Sequence, residues 1–207
     1  MSKPFSQACE NNKQFILALI RTEFAAGQCV LEIGTGTAQH IIHFAAALPE
    51  VHWQPSDVPG NLATVLAGLT GNTLANIRAP LALDVSQPVW PLARVDAIFT
   101  ANTLHIMPYA HVELFFQGVQ RLLRPGGKLC VYGPFKYQGE FTSASNARFD
   151  EWLKERNPLS GVRDFEQVAA WASAAGLRLS ADHAMPANNQ LLVWAMAHAG
   201  ATPAAQC

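Results

Sequence analysis

Apolar and polar positions along this chain fall into two rhythms that take turns. Short apolar runs of strand type recur near 28–33, 51–56, 77–83, 95–100, 127–133, 177–184 and 190–197. Between them, near 8–25, 38–48, 59–70, 108–123, 147–156 and 164–175, apolar residues return at helical spacing. Strands that alternate with helices predict an α/β architecture, a mainly parallel sheet covered by helices on both faces. The last two strands break the rule. Only Pro186-Ala187-Asn188-Asn189 separates them, too few residues for a crossover, so they are expected to pair as an antiparallel hairpin. No repeat or linker divides the chain. Residues 1–198 are therefore read as one domain and the Ala/Gly-rich residues 199–207 as a frayed tail.

The densest chemical signal is the run Val30-Leu31-Glu32-Ile33-Gly34-Thr35-Gly36-Thr37-Ala38-Gln39-His40. An apolar strand passes directly into a glycine turn and then an amphipathic helix, the layout of a nucleotide cradle. Gly34 and Gly36 let the main chain approach a ligand closely, and the helix that follows offers unpaired N–H groups. A dinucleotide fingerprint would place Gly or Ala at position 39, but this chain has Gln39, and its small residue comes one place earlier, at Ala38. Strand-Gly-x-Gly-helix turns also serve NAD enzymes and purely structural junctions.

Two acids follow at strand ends. Asp57 closes the run Val51-His52-Trp53-Gln54-Pro55-Ser56, where a carboxylate can accept both ribose hydroxyls; alternatively it caps the helix that starts near Pro59. Asp84 ends Ala79-Pro80-Leu81-Ala82-Leu83, with Val85 beside it, and equally suits an Asx-turn into Ser86-Gln87-Pro88. Further on, the strand Val95-Asp96-Ala97-Ile98-Phe99-Thr100-Ala101 breaks into the polar residues Asn102, Thr103 and His105. A helix is then stopped by Arg124-Pro125-Gly126-Gly127 and followed at once by Lys128-Leu129-Cys130-Val131-Tyr132.

Taken together, Glu32-x-Gly34-x-Gly36-x-Ala38 resembles motif I of the class I S-adenosylmethionine (SAM) dependent methyltransferases, with Ala38 in place of the last glycine. Asp84 and Val85 resemble motif II, the 95–101 strand with Asn102 resembles motif IV, and Leu123-x-Pro125-Gly126-Gly127 resembles the turn of that class. Asn11-Asn12-Lys13, Gln39-His40, Trp53 to Asp57, Tyr132 to Phe135, Phe141 to Asp150 and Met185 to Asn189 narrow the resemblance to the DUF938, or methyltransferase-like 26, family, from about residue 4 to about residue 197. The resemblance implies a Rossmann-like seven-stranded sheet in the order 3-2-1-4-5-7-6 with a C-terminal antiparallel hairpin. It implies SAM as cofactor, held by Glu32, Gly34, Thr35, Gly36, Asp57, Asp84, Val85 and Asn102, and it supplies no methyl acceptor.

Composition narrows the partner. With 207 residues, half of them hydrophobic, the chain is long enough for a real core, and its formal charge of −1 with dispersed Lys and Arg disfavours nucleic acid. A small-molecule acceptor is expected. No apolar run is long enough to span a bilayer and the polar start is unlike a signal peptide, so no membrane association and a cytoplasmic location are expected. Cys9, Cys29, Cys130 and Cys207 are scattered and read as reduced, with no metal.

If the acceptor must lose a proton, His105 is the candidate base and Tyr132 the second; His105 could equally be a helix-capping histidine. Residues 134–150 are read as a long connection that could serve as a lid. Within it Phe135, Phe141 and Phe149 are expected to wall an acceptor pocket, with Ser143 and Asn146 adding polar contacts, unless the aromatics only pin the loop. Asn188 and Asn189 are either acceptor contacts or turn residues that tolerate positive φ. Two rival functions remain, a non-catalytic SAM-binding or protein-interaction module and an NAD(P)-dependent oxidoreductase; Gln39, Asp84 and the terminal hairpin argue against the latter.

Overall fold

The computed structural model describes residues 3–198, so the expected tail at 199–207 lies outside the described residues. Strands β1 (Cys29–Ile33), β2 (His52–Asp57), β3 (Leu81–Ala82), β4 (Val95–Ala101), β5 (Leu123–Gly133), β9 (Leu177–Met185) and β10 (Asn189–Met196) form one seven-stranded sheet, ordered β3-β2-β1-β4-β5-β10-β9. The strands are parallel through β5, and β10 runs antiparallel to both β5 and β9. Counted within this sheet, the order is the expected 3-2-1-4-5-7-6.

Alternation along the strands divides the core into two layers. Leu31, Ile33, Ile98, Leu129, Val131, Leu192 and Trp194 face one way, against Val112, Phe115, Phe116 and Val119 of helix α4 (Tyr109–Leu122) and Val168 and Ala172 of α6 (Phe165–Ala174). Val30, Ala97, Phe99, Cys130, Tyr132, Leu191 and Val193 face the other way. They meet Ile16, Leu17 and Ile20 of α1 (Gln7–Glu23) and Ile41, Phe44 and Ala45 of α2 (Gln39–Ala47). A period of two within each strand is what makes both layers possible.

Three expectations are corrected. The strand expected over 77–83 is reduced to Leu81–Ala82, paired with Ser56 and Asp57, plus one isolated bridge from Trp53 to Ile77. Pro80 lies between them and has no N–H to give a ladder. Strand β5 begins at Leu123 rather than 127, directly after α4. It runs through Pro125-Gly126-Gly127 as a bulge, since Leu123 faces Val95 while Lys128 already faces Ala97.

Residues 134–150, expected to be one long connection, are largely structured. Strands β6 (Phe135–Tyr137) and β7 (Glu140–Phe141) form a hairpin whose turn residues Gln138 and Gly139 both have positive φ, and β6 also pairs with β8 (Arg163–Asp164). Tyr137 stacks on Phe165 at 5.0 Å and its hydroxyl donates to Asp182 at 2.7 Å. Helix α5 (Ala144–Arg156) starts at 144, capped by the Ser143 hydroxyl. A hairpin tied down in this way is not a free lid.

Candidate active site

The crevice at the carboxyl ends of β1 and β4 is built around the glycine turn. Both Gly34 N–H and Thr35 N–H donate to the Ser56 carbonyl at 3.0 Å, and Gly36 N–H donates to Asp57 Oδ2 at 2.8 Å. The first link joins the turn to the end of β2, and the second makes Asp57 part of the turn's own geometry. Gly34 has φ +78°, and a Cβ there would run into the Thr103 side chain, so the turn can close on β4 only with glycine. Ala38 takes φ +61°, a left-handed conformation costing roughly 1–2 kcal/mol for a residue with a Cβ, which is why a glycine suits that place in the motif.

Gln39 explains itself once α1 is in place. Its Oε1 accepts from Ser6 N–H at 2.5 Å and Thr37 Oγ1 at 2.9 Å, while its Nε2 donates to Glu10 at 2.8 Å. His40 Nε2 donates to Asn12 Oδ1 at 2.6 Å, and burial lowers the ring's pKa to about 4, so it is neutral near pH 7. These side chains dock the start of α1 onto the turn.

On one side of the turn lies a hollow of about 360 Å³ bounded by Gly34, Gly36, Asp57, Asp84, Val85 and Asn102, among others. Asp57 Oδ1 accepts from Val58 N–H at 2.8 Å and Asn61 Nδ2 at 3.1 Å; no side chain among the described residues caps the 3-10 turn Pro59–Asn61 or helix α3 (Leu62–Leu69), so Asp57 edges the hollow without being a helix cap. Asp84 Oδ1 forms the Asx-turn, accepting from Ser86 N–H at 2.9 Å and Ser86 Oγ at 2.7 Å, and these bonds hold its carboxyl below the usual range. Its other oxygen has no recorded partner among the described residues. Asn102 sits in the left-handed region at φ +58°, with its N–H on the Tyr132 carbonyl at 2.9 Å. A polar residue held in strained backbone at a strand end is a recurrent feature of ligand sites.

Beneath the turn, Glu32 is 2% exposed and its Oε2 has no hydrogen-bond partner. Desolvation raises its pKa to about 8; the Thr35 hydroxyl counters this in part, and the nearby Asp57 charge adds to it. An orphaned buried carboxyl oxygen is the kind of group that a ligand cation would satisfy.

The other side of the turn opens into a cavity of about 640 Å³, which shares Gly34, Gly36, Asn102 and Ile106 with the first hollow. His105, Phe149, Trp152, Leu153 and Arg156 line it. The His105 ring is 4% exposed and makes an edge contact with Phe149 at 5.3 Å. Burial, then the Arg163 charge, lowers its pKa to about 4.

The segment carrying His105 is held by a buried arginine that the sequence reading missed. Arg163, 7% exposed, donates through Nε to the Leu104 carbonyl at 2.9 Å and through Nη2 to the carbonyls of Met107 and, at 3.1 Å, Leu159. Gly161 N–H donates to the His105 carbonyl at 2.9 Å and Ser160 Oγ to the Ile106 carbonyl at 2.8 Å. Four successive carbonyls, 104 to 107, are thus satisfied by residues 160–163. Asp150 supports the clasp, accepting from Val162 N–H at 2.7 Å. No local spacing announces the bonds to carbonyls 104–107, whose donors lie more than fifty positions away.

Several expected site residues lie elsewhere. Tyr132 is 3% exposed in the α1-side core, and burial raises its hydroxyl pKa, so it is not placed as a base on the cavity. Phe135 is in the opposite core layer at 1% exposure. Phe141 is in β7, with the Lys136 ammonium 5.5 Å over its ring. Asn146 is buried, its Nδ2 donating to Thr142 Oγ1 and the Asn188 carbonyl, both at 2.9 Å. Asn188, at φ +57°, donates to Ser145 Oγ at 3.3 Å, and Asn189 donates to the carbonyls of Pro186 and Ala187 at 3.2 and 3.3 Å. The two asparagines therefore act as hairpin residues. Of the three expected aromatics only Phe149 reaches the cavity.

The sheet order, the terminal hairpin and the crevice at the β1–β4 switch point define the Rossmann-like class I methyltransferase fold. Solved structures with this fold include an O-methyltransferase family protein from Burkholderia thailandensis (TM-score 0.81, 13% identity, covering 93% of this chain and 57% of that one). The SAM-dependent methyltransferase SibL is similar at TM-score 0.76 and 20% identity, covering 92% and 56%. Human N-acetylserotonin methyltransferase in complex with SAM matches at 0.75 and 16%, covering 92% and 53%. The chain thus spans little more than half the length of these proteins. By its match over residues 3–196, the chain belongs to the DUF938 family, described as a protein of unknown function.

Proposed function

We propose that this protein transfers the methyl group of SAM to a small-molecule acceptor. The reading rests chiefly on one observation: a glycine turn with two unlike compartments on its sides, one edged by Asp57 and Asp84, the other walled by Phe149 and Trp152 and reaching a neutral histidine. The residues present fit the cofactor. Gly36 has open space where a Cβ would stand, Asp57 and Asp84 each have acceptor capacity left, and Glu32 has an unpartnered oxygen under the turn. Asp57 would hold the ribose, Asp84 and Val85 the adenine, and Thr35 and Glu32 the amino-acid end. When bound, SAM supplies an activated methyl group, whose carbon bonds the acceptor atom as the carbon–sulfur bond breaks and its electron pair stays on sulfur.

The protein's own task is alignment and exclusion of water, and alignment alone can contribute roughly 7–11 kcal/mol. Asn102 stands between the two compartments. His105 lines the second compartment with an unprotonated ring near pH 7, and burial, which lowers its pKa to about 4, makes it a weak base toward a proton leaving the acceptor. The two core layers built on one sheet support reading residues 3–198 as one domain.

The test is ligand binding. S-adenosylhomocysteine (SAH) or SAM at about 100 times its Kd should stabilise the protein by roughly 2.7 kcal/mol, read as a rise in Tm, whereas NAD should leave it unmoved. Asp57→Ala should weaken SAH binding by about 1–3 kcal/mol relative to a Glu113→Ala control, since it removes the ribose acceptor and releases Gly36. A melt insensitive to millimolar SAM and SAH ends this reading. SAH binding without methyl transfer into any cell-extract fraction would point instead to a binding module.

A further inference from the structure

The acceptor cavity has a directional wall. The His105 and Phe149 rings meet edge to face at 5.3 Å, Phe149 and Trp152 stack at 5.7 Å with planes 19° apart, and the Arg156 guanidinium lies 3.9 Å from the Trp152 ring centroid. Aromatic surface thus leads from the histidine to a cation at the far end. Trp152, 44% exposed, and Phe149 both line the cavity, so aromatic surface rather than aliphatic surface makes this wall.

Arg156 is the one formally charged side chain lining this cavity. His105 and His40, also on its walls, are both neutral near pH 7. Among the described residues Arg156 has no carboxylate within salt-bridge distance, whereas its neighbour Lys154 is paired with Asp150 at 2.6 Å. Stacking on an indole fixes the guanidinium plane and leaves its N–H edge free, the arrangement that binds carboxylates in a two-pronged fashion. Stacked rings select flat partners.

We propose that the methyl acceptor is a planar aromatic acid, its ring laid along Phe149 and Trp152, its anionic group on Arg156, and its methyl-accepting end toward Asn102 and His105. The proposal rests on the methyltransferase reading above and names the substrate class for the same site. The carboxylate of the cofactor's amino-acid end is the other anion that could reach Arg156, and the experiment separates the two.

The SAH-loaded protein is titrated calorimetrically with 4-hydroxybenzoate, 3,4-dihydroxycinnamate and 1-hydroxy-2-naphthoate, and with their primary amides. At least one acid should bind about tenfold or more tightly than its amide. Arg156→Met should remove that preference and leave SAH affinity within about twofold of wild type, whereas Phe149→Leu should weaken acid and amide alike. Equal binding of acid and amide, no binding of any acid at millimolar concentration, or an Arg156→Met variant that loses SAH while keeping the acid would each overturn the proposal; the last would assign the guanidinium to the cofactor. Failure of the wild type to bind SAH at all would instead sink the methyltransferase reading.

Discussion

Arg163→Met is expected to destabilise the protein by about 3–5 kcal/mol and to lower Tm by ~10 °C. Methionine keeps much of the apolar stem but strips the carbonyls of Leu104, Met107 and Leu159 of their donor. A buried acceptor left without a partner costs about 1–3 kcal/mol, and three are exposed to that loss together. The effect should also be local. Gly161 N–H, bonded to the His105 carbonyl, should exchange with solvent well before global unfolding in the variant, because residues 104–107 and 160–163 hold each other through these bonds. A shift in Tm below about 3 °C with unchanged Gly161 protection would show that the clasp is held by packing alone.

The unliganded protein is expected to be most stable near pH 6.5, with the buried groups Glu32, His40 and His105 setting the shape of the curve between pH 4 and 8. His40 and His105 have folded pKa values near 4, below the ordinary 6.5, so the unfolded chain binds more protons between those values; their contribution is present above pH 6.5 and lost as pH falls toward 4. Glu32 works in the opposite direction. Its folded pKa near 8 lies above the ordinary 4.5, so the folded state holds the extra proton, and that contribution is lost as pH rises toward 8. Between 4.5 and 6.5 the two histidines outweigh one glutamate and stability rises with pH. Above 6.5 the gain from the histidines levels off while the Glu32 contribution continues to fall, for a net loss of about 1 kcal/mol by pH 8. Glu32→Gln, neutral and of similar size, should abolish the alkaline decline and leave the acid limb in place. Urea unfolding of both proteins at pH 5.5, 6.5 and 8 measures this, and a decline above pH 6.5 that survives in the glutamine variant would place its origin in another group.

Much of the proposed cofactor side was legible along the chain because its determinants are local. Gly34, Gly36, Asp57, Asp84 and Asn102 each sit at or just past the end of an apolar run, and the sheet order brings those ends to one crevice whatever the side chains do. The antiparallel β9–β10 hairpin followed from the brevity of the segment between the strands. Where a local signal was faint, the reading slipped: Pro80 shortened β3, and strands as brief as β6 and β7 carry too few residues to show a period.

The sequence by itself therefore determined the layered α/β fold and the glycine-turn end of the crevice, since strand periodicity and glycine turns are properties of neighbouring residues. Tertiary structure alone decided the end proposed for the acceptor. Phe135, Phe141 and Phe149 are equivalent as sequence, yet one packs in the core, one lies on a small hairpin and one faces the cavity, according to the strand face or helix side on which each falls. Arg163 reaches carbonyls 56 and 59 positions away, and Arg156 comes to line the cavity while stacked on Trp152. Such partnerships depend on which surfaces meet when helix α5 and the 157–163 segment fold back over the end of β4, and no short-range pattern in the chain encodes that meeting.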